Sequence, residues 1–120
     1  MAYSAPTEEG IMEHPSVIRP AEHASFRGDK MGKTTLFESP RVLVGLNCFE
    51  AGQSHPLHAH EDMDKVYQVV EGQGTLLLGG RELVIAAGDL VVAPAGVPHG
   101  VRNDGPARLV LLAILAPGAR

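Results

Sequence analysis

Two histidines one residue apart constrain this chain more than any other feature. His58 and His60 lie in the stretch GQSHPLHAHEDMDKVYQVVEG, from Gly52 to Gly72. Alternate side chains of an extended strand point to one face, so both imidazoles project the same way if this stretch is extended. Two neutral imidazoles on one face are half of a site for zinc, iron, copper, nickel or manganese. The candidate for the other half is His99, in a second marked stretch, GDLVVAPAGVPHGVRN, from Gly88 to Asn103.

The surrounding sequence reads as short strands separated by turns. Fourteen Gly and nine Pro in 120 residues favour frequent reversals over long helices. Strands are predicted over Thr34–Glu38, Arg41–Phe49, Lys65–Glu71, Thr75–Leu78, Arg81–Ala86 and Leu90–Ala93, with another starting at His99. The last, Arg108–Leu115 (RLVLLAIL), is apolar throughout after its first residue and is expected to be buried on both faces. Gly79-Gly80 joins two of these segments as a hairpin turn, since both residues tolerate positive φ. Residues 1–33 show no periodicity and carry Pro6, Pro15 and Pro20. They are expected to form an irregular arm, with one short strand near Ser16–Ile18, ahead of a β-domain over residues 34–120. His14 and His23 in that arm are expected to face solvent, and Cys48 to be a buried, inert thiol. His55 has the wrong parity to join His58 in a straight strand, but Pro56 bends the path.

Composition narrows the function classes. The length suits one domain, and 44% apolar residues with only 4% aromatic and no Trp imply an aliphatic core. The formal charge of −4 argues against a nucleic-acid surface. One Cys excludes an intrachain disulfide and fits a reducing compartment. The apolar run Leu109–Ala116 is too short to cross a bilayer, and no secretory signal is evident. A cytoplasmic protein is expected.

The two stretches together resemble the motifs of the cupin superfamily. The first family motif is Gly, five residues, His-X-His, three or four residues, Glu, six residues, Gly; Gly52, His58, His60 and Gly72 match it. The second is Gly, five residues, Pro-X-Gly, two residues, His, three residues, Asn; Gly88, Pro94, Gly96, His99 and Asn103 match it without a gap. The resemblance spans Gly52 to Asn103 and implies an all-β jelly-roll barrel, a double-stranded β-helix of two facing antiparallel sheets. Both motifs are then expected to line one mouth of the barrel. It further implies that His58, His60 and His99 ligate a divalent transition metal, Fe, Mn, Ni or Zn.

One motif position differs: Lys65 stands where the family has its glutamate ligand. Lys65 either points into the barrel beside the metal, as base or anion clamp, or swings outward to pair with Glu61, Asp62 or Asp64. A third alternative gives Asp64 the glutamate's role through a strand bulge. Tyr67 shares a face with Lys65 and is a candidate hydrogen-bond donor to substrate, or else a core aromatic.

Three neutral imidazoles leave a divalent ion its full charge, which suits an enolate, catecholate or carboxylate. What the resemblance implies is a small metalloenzyme, dioxygenase-like or isomerase-like, acting on a small anionic carbonyl compound; the competing reading is a binding protein with incidental metal. A homodimer is expected, because a single jelly roll leaves strand edges and apolar sheet faces uncovered.

Overall fold

The structure is a computed structural model, and it describes residues 17–117. Nine strands follow in chain order: β1 (Gly32–Glu38), β2 (Leu43–Phe49), β3 (Ser54–His58), β4 (Asp64–Glu71), β5 (Gln73–Leu78), β6 (Arg81–Ala86), β7 (Leu90–Ala93), β8 (His99–Arg102) and β9 (Leu109–Ala116). They form a five-stranded sheet in the order β1-β2-β9-β4-β7 and a four-stranded sheet in the order β3-β8-β5-β6. Every pairing is antiparallel. The result is the expected double-stranded β-helix, in which the two sheets face each other.

Register assigns the faces. Directly opposed residues of antiparallel strands share a face. In the larger sheet one such row joins Lys33 to Asn47 and Asn47 to Leu111. A second joins Gly45 to Ala113 and Ala113 to Tyr67, and a third joins Leu43, Leu115, Lys65 and Ala93. These rows face the smaller sheet. Between the sheets, Phe49, Tyr67, Val69, Leu76, Val101 and Leu111 form a closed core of mostly aliphatic side chains. Inward positions of β4 run from this core towards the cavity as Val69, Tyr67 and Lys65.

The opposite face of the larger sheet has its own core. Leu36, Leu46, Cys48 and Val110 are covered there by Ile18, Ala24 and Phe26. The N-terminal segment is therefore a strap over the sheet. The Arg108 guanidinium lies 4.1 Å above the Phe26 ring and fixes its end. Cys48 is fully buried in this layer, and burial pushes its thiol pKa up.

Several expectations change in detail. Ser16 and His14 lie outside the described residues, but Val17 and Ile18 are not in a strand. Instead a short 3-10 turn runs over Pro20–His23, with Pro20 at its start where its fixed φ fits. The first domain strand begins at Gly32 rather than Thr34. Strand β2 begins at Leu43 rather than Arg41 because the Ser39 hydroxyl accepts from the Arg41 and Val42 amides and holds a turn there. Strand β5 begins at Gln73 rather than Thr75, so Gly74 lies within it. A Cβ on it would stand 2.6 Å from Leu109 Cδ2 and 2.8 Å from the Arg102 carbonyl oxygen, so this glycine permits close packing. Gly79 and Gly80 do form the β5–β6 turn, at φ 56° and 83°. Among the described residues no helix is long and apolar enough to cross a membrane.

Candidate metal centre

His58 ends β3 and His99 begins β8, and the two are directly opposed in register. Their ring centroids are 4.3 Å apart. His60 lies beyond the strand, so alternation along β3 does not place it. Its position comes from the Pro94–Val97 turn, whose Gly96 amide donates to the His60 carbonyl at 2.7 Å. The His60 ring is 5.0 Å from that of His58 and 5.6 Å from that of His99. The ligating atoms of the three lie within 4.8 Å of one another. A common ion with bonds of about 2.1 Å needs them about 3 Å apart, a change within reach of small ring rotations.

Hydrogen bonding supports the same assignment. His58 Nδ1 meets the Pro56 carbonyl at 2.8 Å, and His99 Nδ1 meets the Val97 carbonyl at 3.0 Å. A carbonyl only accepts, so each Nδ1 carries the proton and each neutral ring keeps its lone pair on Nε2. The Nε2 of His99 is buried and has no partner among the described residues. A buried lone pair aimed at two other imidazoles suits a metal ion, and carbonyls on the far nitrogens are the usual support for histidine ligands. Burial first, with repulsion from His58 and Lys65, lowers the His60 pKa; burial likewise leads for His99, against the raising effect of its Val97 hydrogen bond. Lowering favours the neutral, ligating form.

The structure answers the question about Lys65. It is only 4% exposed, faces inward and lines the cavity with His55, His58 and His60. Its Nζ lies 4.8 Å from the centre of the Tyr67 ring. The outward pairing with Glu61, Asp62 or Asp64 does not occur, because register puts Lys65 opposite Leu115 and Ala93 on the inner face. Burial, then repulsion from Lys33, lowers its pKa from 10.5 to about 8. Asp64 is not a fourth ligand either: its Oδ1 accepts from the Ala95 amide at 2.9 Å, on the exposed side of β4. Tyr67 is fully buried, its ring 6.1 Å from that of His99, and its hydroxyl finds no partner on the protein. It is thus both a core aromatic and a polar group beside the site, with its pKa raised by burial.

Three more residues reach the cavity. His55 faces inward after all. β3 takes three steps from His55 to His58 while β8 takes two from Val101 to His99, and this extra residue reverses the parity. The His55 ring lies 4.4 Å from that of His58. Lys33 and Asn47, an adjacent pair on β1 and β2, line the same space. The cavity holds about 210 Å3, and no carboxylate among the described residues lines it.

This fold and this histidine arrangement define a class, and sequence comparison agrees. Residues 45–115 match the cupin domain family, so the chain belongs to that family. The crystal structure of TT1209 from Thermus thermophilus superposes with a TM-score of 0.81 at 38% identity, covering 84% of this chain and 96% of that one. The oxalate-binding protein of Thermotoga maritima is 26% identical over 114 residues, 88% of this chain and 93% of that protein. Quercetin 2,3-dioxygenase of Bacillus subtilis is 37% identical over 51 residues, which is 42% of this chain but 15% of that enzyme.

Proposed function

We propose that this cupin holds a divalent transition metal on His58, His60 and His99 and uses it to bind a small carboxylate or enolate, as a metalloenzyme of dioxygenase or isomerase type. The observation that carries this reading is the buried, unpartnered Nε2 of His99, aimed at two other imidazoles. Such an ion supplies Lewis acidity and holds anionic oxygen. The chain's own part is to present three neutral donors, to leave one side open, and to line the cavity, among the described residues, without a carboxylate. Lys65 supplies a buried cation in the position where a fourth, anionic ligand would otherwise neutralise the ion. Relative to a three-histidine, one-glutamate site this shifts the balance from holding the metal to holding an anion. Tyr67 stands behind His99 as a hydroxyl donor.

A second reading, reversible binding without turnover, is favoured by two observations. Among the described residues no carboxylate base lines the cavity, and the relative matched over most of its length is named for binding oxalate. Metal analysis of untagged protein, followed by oxygen uptake and proton-exchange assays on β-diketones, catechols and keto acids, tests both. Stoichiometric metal with turnover supports the enzyme; metal and oxalate affinity without turnover supports the binder. Protein that takes up no metal even after reconstitution contradicts both.

A further inference from the structure

The cavity does not stop at the three histidines. Beyond His58 it is walled by His55, Asn47 and Lys33, and a second cavity opens past Lys33 and His55 towards Arg27 and Lys30. Asn47 is only 5% exposed, yet its Nδ2 finds no acceptor among the described residues. A buried amide donor left this way is costly, and it faces the cavity from an otherwise apolar strand. Lys33 is its direct neighbour across the β1–β2 ladder and makes no ion pair among the described residues. The Nδ1 of His55 is likewise buried and unpartnered. Among the described residues, neither cavity has an Asp or Glu in its walls. A donor amide, a free ammonium and a neutral ring, with no anion among them, are complementary to an oxyanion.

We propose that Asn47, Lys33 and His55 form a second carboxylate subsite, and that the ligand of this chain is therefore a dicarboxylate spanning the cavity. One carboxylate sits at the histidine triad; the other accepts hydrogen bonds from the Asn47 amide and the Lys33 ammonium. Lys30, along the second cavity, extends the positive approach and steers a dianion inward, while the Arg27 guanidinium there is paired with Asp29. This inference rests on the metal-site reading for its first carboxylate and on Asn47 and Lys33 for its second.

The test separates the two. In metal-loaded protein, malonate, succinate and glutarate are compared by calorimetry with propionate, butyrate and valerate, the monocarboxylates of equal chain length. At least one diacid is expected to bind about tenfold or more tightly than its partner, the scale of one charge-assisted hydrogen bond. Lys33→Met and Asn47→Leu should each remove that preference. In metal-free protein, the side-chain amide resonances of Asn47 should still shift as the same diacid is added, a readout that survives failure of the metal reading. Lys33 is exposed, so its variant folds even if the buried Asn47 variant does not. Equal affinity for diacid and monoacid overturns the proposal. So does a preference that persists in Lys33→Met, or an Asn47 amide that no diacid moves.

Discussion

At the residue scale, Lys65 carries a large electrostatic cost and the clearest consequence. Its pKa falls from 10.5 to about 8 on folding, so the folded state binds the proton less well than the unfolded one. The penalty is in full force below about pH 8, where both states are charged, and it disappears as pH rises to about 10.5. A shift of this size corresponds to about 3 kcal/mol. In metal-free protein, Lys65→Met is expected to raise unfolding stability by about 2–3 kcal/mol at pH 7, with the gain shrinking as pH rises from about 8 to about 10.5; urea titrations across that range check it. Lys65→Glu should instead tighten metal binding by about tenfold or more, because it exchanges a repelling charge for an attracting one; competition against a chelating dye measures this. His55 works in the opposite pH range. Its pKa is lowered from 6.5 to about 3, chiefly by burial, so metal-free protein should lose stability as pH falls through that interval, where the unfolded state takes up the proton first. Sequence alone put Lys65 on one face with Tyr67 and Val69. Which face that was depended on β9 and β7, strands that no local pattern identifies as its partners.

At the scale of the elements, much of the second motif is scaffold. Asn103 is 1% exposed; its Nδ2 donates to the carbonyls of Phe49 at 3.2 Å and Ala107 at 2.8 Å, and its Oδ1 accepts from the Gly105 amide at 3.3 Å. It ties the end of β2 to the β8–β9 connection. Asn103→Ala should cost about 2–3 kcal/mol in a urea titration, from stranded buried carbonyls, without changing metal stoichiometry in the folded protein. The strands themselves were legible, because β-branched runs bounded by Gly and Pro are local signals. What stayed hidden were features set by pairing. His55 turns inward through an extra residue in β3, visible only against β8. Asn47 shares the inward parity of Phe49 in the apolar run LVGLNCF. A lone amide at such a position was a signal, but its meaning depended on the cavity beyond it.

Across the whole molecule, the two sheets are unequally covered. The strap of Ile18, Ala24 and Phe26 shields part of the outer face of the larger sheet. At its far edge, Leu90 and Val92 of β7 stay 61% and 46% exposed. An apolar edge strand of this kind is a pairing surface, and the expected assembly is a homodimer through it: light scattering at micromolar concentration should give twice the 12.7 kDa chain mass. Leu90→Lys should return the monomer. The fold was readable from motif spacing because that spacing fixes where turns fall, whereas a partner surface leaves no such rhythm. The account as a whole depends on three imidazoles from β3, its following loop and β8 serving one ion. Crystals of protein reconstituted with Fe, Mn, Ni or Zn, measured across the absorption edge of the metal, test this most directly. A single anomalous peak about 2.1 Å from the Nε2 atoms of His58, His60 and His99 is the expected result. A peak elsewhere, or a fully loaded crystal in which His99 Nε2 bonds to the protein instead, would contradict it.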